Sequence, residues 1–466
     1  MNTTTENSFQ ELSHKKISRL FWQYALPAII GTIVNTLYNI IDGVFIGHWV
    51  GKEALSGLGV ILPVMNLAAA FGMLVGVGSA SRISISLGLK DYDTAEKIAG
   101  TSFILSLILS GILLSLLLVF LKPVLMFVGA SEVTYPYARD FLQIFLPGSI
   151  FLTLCFNFNN MMRACGYPLK AMVTMLISVV ANIILAPVFI LWLGWGMKGA
   201  AIATTISMFI GFLFVIEHFT RKNSPVRLKK KNIRLKLDAV KSIVSIGMAP
   251  FCMQVGASVI VVLINFQLHR YAPLSNVSGD DAIAAFSNAN RLIMLVIMVI
   301  IGLTQGMQPI IGYNYGAANY ARVKETLIYA IKAATFITTL GFLMGFFIPE
   351  FLVSAFSPDQ EIIKLSATAL RYITLLFAII GFQIVVSSFF QCIGMAGKSI
   401  FLGLSRQILI LIPALLILPI FLGLNGVWLA APLSDLLSAV IATYLLIGQL
   451  KIFRKREEFR QHEHLS

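Results

Sequence analysis

LPAIIGTIVNTLYNIID, residues 26–42, decides the fold. It is part of a run, Leu20 to Ile41, without a charged residue. About 20 apolar residues in helical form cross the hydrocarbon core of a bilayer. Pro27 near the start predicts a kink, because proline removes a backbone donor and clashes with the preceding turn. Asn35, Tyr38 and Asp42 follow at spacings of three and four, so they share one helix face. A polar stripe on such a helix must look at protein or water, because lipid satisfies no polar group. An acid at that depth costs about 2.5–3.5 kcal/mol on insertion scales, which makes Asp42 a functional candidate. The bland alternative is a hydrogen-bonded structural carboxylate.

Similar runs recur to the end of the chain. They start near Arg19, Ala54, Ala95, Tyr135, Leu169, Lys198, Ser242, Ala282, Val323, Ile362, Lys398 and Gly426. The 466 residues are 58% hydrophobic and 12% charged, against about 25% charged in soluble domains. Lipid is therefore the solvent for most of the surface. The fold class is an all-α membrane protein of about twelve spans, in the cell membrane. The polar first 16 residues lead into a first run with no small-residue cleavage site after it, so that run reads as an uncleaved span.

The net charge of +14 sits in loops. The segment 221–241 carries nine Lys and Arg against Asp238 alone, as expected of a cytoplasmic linker near anionic headgroups rather than a nucleic-acid site. Basic residues also mark Lys15 to Arg19, Arg82 to Lys97, Arg163 to Lys170, Arg322 to Lys324, Lys398 and Lys451 to Arg456. The intervening loops are poor in them. Both termini are thus expected in the cytoplasm.

The chain repeats itself. Leu26-Pro27 answers Ala249-Pro250, and Asp42 answers Asn265, at an offset of 223. Gly78, Gly88, Arg163-Ala-Cys-Gly166 and Lys170 answer Gly306, Gly316, Gln391-Cys-Ile-Gly394 and Lys398 at 228. Gly196 and Gly199 answer Gly423 and Gly426 at 227. Six spans per repeat give both halves one orientation and place a cavity between them. The expected divisions are an N-lobe, 1–220; the linker, 221–241; a C-lobe, 242–450; and a cytoplasmic tail, 451–466. Gly72/Gly76, Gly302/Gly306, Gly312/Gly316 and Gly341/Gly345 have the small-xxx-small spacing of close helix packing.

Few other ionisable groups lie inside spans, and uncharged polar ones accompany them. Asn182 and Thr204-Thr205 could complete a site around Asp42, although each alone is more often interhelical glue. Asp435 reads as a structural partner of Arg406. Arg82 and Arg163, near helix ends, are expected to snorkel. Asn35, Asn157, Met253, Gln254, Asn265 and Gln305 are candidates for the cavity wall, although methionine is also ordinary core filler. Cys155, Cys165, Cys252 and Cys392 lack metal or disulfide spacing. There is no phosphate-loop motif and no catalytic constellation, so neither an ATPase nor another enzyme is expected.

Several segments resemble the multidrug and toxic compound extrusion (MATE) transporters. They are Tyr38-Asn-Ile-Ile-Asp42-Gly-Val-Phe-Ile-Gly47, Gly78-Ser-Ala-Ser-Arg82, Gly199-Ala-Ala-Ile-Ala-Thr204 and Gln305-Gly-Met-Gln-Pro309-Ile-Ile-Gly312-Tyr-Asn-Tyr-Gly316. The last is similar to the DinF-like and MepA-like bacterial subgroup. The resemblance implies two lobes around a V-shaped cavity and efflux of cationic, amphipathic drugs in exchange for H⁺ or Na⁺, with no other cofactor. It implies coupling roles for Asp42, Tyr38, Asn182 and Thr204. Two family acids are missing: Ala186 stands in the fifth span where the pattern has Asp, and Ser258 in the seventh. One acid leaves less charge to hold Na⁺, so H⁺ is the expected ion, and a monomer the expected form. The alternatives are a lipid-linked oligosaccharide flippase of the same superfamily, which should line its cavity with cationic side chains, and a non-transporting membrane scaffold.

Overall fold

A computed structural model describes residues 11–221, 224–356 and 358–465, with side chains described except at 38, 39 and 459–465. Among the described residues there is no strand. The spans are α1 (Ile17–Trp49), α2 (Lys52–Gly88), α3 (Tyr92–Val119), α4 (Tyr135–Ala164), α5 (Pro168–Pro187, continued as a π turn over Val188–Trp192) and α6 (Gly196–Thr220). After the linker follow α7 (Leu237–Tyr271), α8 (Gly279–Gly316), α9 (Tyr320–Phe347), α10 (Gln360–Thr374 with Phe377–Cys392), α11 (Ala396–Leu422, with a π turn over Ser405–Leu411) and α12 (Leu424–Leu465). Every span begins within five residues of the start expected from sequence.

One span differs from expectation. α10 is two helices, Gln360–Thr374 and Phe377–Cys392, bent by 52°. No proline or glycine marks the break. Instead the Thr374 hydroxyl donates to the Leu370 carbonyl at 2.7 Å. Such a bond competes weakly with the helical ladder and favours a bend, but Thr326 and Thr443 make it inside unbroken helices, so it does not by itself account for 52°.

The repeat appears in the backbone as well as the sequence. Lys90 and Ala318, 228 apart, are both left-handed, at φ 60° and 53°. Each is followed by a cap: Asp91 accepts from the Thr94 N–H at 3.0 Å, and Asn319 from the Arg322 N–H at 3.3 Å. Gly166 and Gly394 pair likewise at φ 95° and 76°.

The two halves are joined by crossings that the repeat relates. α2 crosses α7, and α8 crosses α1. In the first crossing Gly78 lies on Ile243 and Gly247; in the second its counterpart Gly306 lies on Tyr24 and Ala25. α2 and α8 then meet at their C-terminal ends, with Gly88 against Tyr313 and Ala317, and Gly316 against Ile85 and Gly88. The pseudo-twofold axis therefore passes between Gly88 and Gly316. The other paired glycines also pack helix on helix: Gly72 and Gly76 on α4, Gly341 and Gly345 on α10.

The linker is more ordered than a charged tether. Its Asn232 carbonyl lies against Gly100 of α3, Thr101 donates to the Arg234 carbonyl at 3.0 Å, and Lys229 pairs with Glu96 at 2.7 Å. Large apolar side chains such as Phe127, Trp192 and Phe421 stand exposed on the outer faces. A lipid solvent accounts for them.

Candidate functional site

α1, α2, α4, α5 and α6 surround a cavity of about 390 Å³, closed on one side by α7 and α8. A drug-sized pocket has about 300–1,000 Å³. Asn35, Asn182 and Thr204 line it from the first half, Gln254 and Gln305 from the second. Five methionines, Met65, Met73, Met175, Met208 and Met298, supply much of the apolar wall. Methionine is unbranched and polarisable, so such a wall adapts to unlike ligands.

Asn182 and Thr204 meet: the Asn182 Nδ2 donates to the Thr204 Oγ1 at 3.2 Å. The Asn182 Oδ1 is buried and has no donor among the described residues. Asp42 is 4% exposed, and its Oδ1 is likewise without a donor. It lies seven residues beyond Asn35 on α1, about 10 Å along the helix, and is not among the cavity-lining residues. Tyr38, between them, lies outside the residues whose side chains are described. Native interiors leave few buried polar atoms unpaired, and each such atom asks for a physical account. The two orphan acceptors lie on helices in contact, α1 and α5, and one of them is a carboxylate.

Three of the cavity candidates lie elsewhere. Asn157 is fully buried, accepting from Ser79 at 2.8 Å and donating to Ser102 and Ser106 at 3.1 and 3.2 Å; it ties α2, α3 and α4 together. Met253 packs on Gly403 of α11. Asn265 is half-buried on α7. None of the three borders the cavity. Ala186, in the place of the second acid, is fully buried in an apolar cluster with Ile46 and Ile190. Asp435 accepts from the Arg406 Nε at 2.7 Å, the structural pair its position suggested.

Arg163 corrects the expectation of snorkelling. It is 5% exposed and lines the cavity, with its Nη2 donating to the Asn160 Oδ1 at 2.8 Å. Sequence could not separate this from snorkelling: a basic residue in the last turn of a span ordinarily reaches headgroups. Here the end of α4 is enclosed by α2, where Gly76 admits Asn160. Arg82 is half-buried, and its Nε has no partner among the described residues.

The comparisons with known proteins follow the same geometry. The MatE family model matches residues 27–188 and again 249–417, once in each half. The multidrug export protein MepA of Staphylococcus haemolyticus is 30% identical over 94% of both chains, and MepA of Staphylococcus aureus 28% identical over 94% of this chain and 95% of its own. Among solved structures, a MATE protein in the bent conformation superposes with a TM-score of 0.89 at 26% identity, covering 96% of this chain and 98% of that one. An outward-facing multidrug resistance MATE transporter gives 0.88 at 26%, covering 95% and 98%. Two matched halves, twelve spans and near-complete superposition agree: the chain belongs to the MatE family of multi-pass membrane transporters, and it is not an enzyme.

Proposed function

We propose that the chain is a secondary active multidrug exporter that moves amphipathic compounds, cations among them, by alternating access in antiport with H⁺. The observation that carries this reading is a cavity walled by both halves, together with Asp42, a buried carboxylate two turns beyond the lining residue Asn35 on α1 whose Oδ1 meets no described donor. The names of the staphylococcal relatives describe multidrug export, and the chain matches them over nearly their whole length.

H⁺ is preferred to Na⁺ because a proton cancels the charge of Asp42 outright, whereas Na⁺ needs several oxygens around it. Ala186 supplies none from the position of the second acid. In this reading both termini, and the Gly88–Gly316 contact, face the cytoplasm, which the basic loops support through the positive-inside rule. The cavity then faces outward. Ala25 and Ile29 of α1, on either side of Pro27, carry the crossing with Gly306 and Gly302 of α8. Repacking of α1 at Pro27 on protonation of Asp42 would therefore be felt by the other half. A ligand shifts such an equilibrium only by its difference in affinity for the two states, so drug and proton must favour opposite ones.

Purified protein in proteoliposomes tests the ion. An imposed pH gradient should drive uptake of a fluorescent amphipathic cation, and a Na⁺ gradient at constant pH should not. Uptake driven by Na⁺ alone would refute H⁺ coupling. Failure of both gradients would refute coupled transport.

A further inference from the structure

Arg163 is the one formally charged residue among the described residues that line the cavity. No carboxylate lies within ion-pair distance of it among the described residues, and Asp140, Glu217 and Glu96 pair instead with Lys198, Arg221 and Lys229. An arginine that is 5% exposed and lacks a counter-ion is costly to keep, because burying an unpaired charge carries a penalty of several kcal/mol. Its position is nevertheless built. Gly76 leaves room for Asn160, whose Nδ2 donates to the Phe156 carbonyl at 2.7 Å and whose Oδ1 receives the Arg163 Nη2 at 2.8 Å. Asn159, one turn back on α4, also borders the cavity and is held by its own bond to the Ala171 carbonyl at 2.7 Å.

We infer that Arg163 is an anion-recognising group at the closed end of the cavity, and that it favours amphipathic compounds carrying a carboxylate. The inference rests on the export reading for the direction of movement, not for binding. A guanidinium presents donors in a planar fork that matches a carboxylate. With Asn160 fixing one Nη2, the remaining edge has no described protein partner and the carboxylate would supply it. One arginine suits one monoanion; a pyrophosphate would call for several cations, and the described lining offers no other. The apolar, methionine-rich wall above it would take the rest of the molecule. A compound with a carboxylate at one end and a cation at the other uses both features.

The test is a matched pair of probes: a xanthene dye with a free carboxylate, and its methyl ester. Equilibrium binding to the full chain in detergent is measured first. Wild type should bind the carboxylate dye more tightly than the ester by about 10- to 100-fold, the range expected of a hydrogen bond to a charged group. Arg163→Gln should abolish that preference while ester binding stays within about threefold, and Arg163→Lys should keep part of it. Equal binding of the two dyes by wild type overturns the inference, whether or not the glutamine variant folds. A parallel loss of both dyes in a folded Arg163→Gln also overturns it, because that result marks a structural role. Carboxylate-selective binding by wild type without transport of either dye would sink the export reading and leave the anion site standing.

Discussion

Gly88→Ala and Gly316→Ala probe the contact on the pseudo-twofold axis. A Cβ built on Gly88 falls 2.0 Å from the Tyr313 carbonyl oxygen, and one on Gly316 falls 2.1 Å from that of Ile85. Ordinary carbon–oxygen contacts begin near about 3.3 Å, so each methyl forces α2 and α8 apart by about 1.2 Å. Overpacking of this kind costs about 1–3 kcal/mol. In the alternating-access account this end parts in the other state, where the methyl costs nothing. The balance between states should therefore move by about 5- to 150-fold. Ser84, fully buried beside Gly312, gives a reporter. In a background without the four native cysteines, Ser84→Cys should react with a membrane-impermeant maleimide about tenfold faster or more when either alanine is added. Gly111→Ala is the control, because nothing lies within 4 Å of its added methyl. An unchanged rate in a folded variant, or an equal rise in the control, would refute the reasoning.

Three further outcomes follow from particular contacts. Lys90→Gly and Ala318→Gly relieve left-handed backbone that L side chains enter at a cost of about 1–2 kcal/mol; each should raise the unfolding temperature in detergent, with no effect on transport. Arg406→Met leaves Asp435 buried without its partner and should cost about 3–5 kcal/mol, much of which Arg406→Met with Asp435→Leu restores, as denaturation would register. Asp91 is held below the usual carboxylate range by hydrogen bonds from Thr94. A carboxyl depressed in the folded state stabilises it above the ordinary pKa, and that contribution is lost as pH falls through the depressed value. Asp91→Asn should keep the cap, as Asn319 does in the other half, and flatten this acid limb; Asp91→Ala should lose about 1 kcal/mol at neutral pH.

The spans and the repeat were legible because they rest on patterns local to the chain. Apolar runs mark the helices, and paired glycines mark the crossings between halves: Gly78 and Gly306, then Gly88 and Gly316. Features set by distant neighbours were not legible. The bend in α10 falls in a run that reads as one span and holds no proline or glycine at the break. Asn157 looked like a cavity residue, yet three serines on two other helices consume its amide. Arg163 had the sequence context of a snorkelling residue, and only the enclosure of the end of α4 turns it inward. Asp42 stood out early because an acid in an apolar span has few bland explanations; its unpaired Oδ1 is the structural counterpart of that argument.

The central claim is that Asp42 couples proton movement to export. Its most direct measurement compares wild type with Asp42→Asn in proteoliposomes, following a fluorescent amphipathic cation after a pH jump. Asparagine keeps the shape of the side chain and cannot carry the proton. The account predicts that the variant still equilibrates dye down its own gradient but no longer accumulates it in response to pH. Proton-driven accumulation by Asp42→Asn at the wild-type level would contradict it.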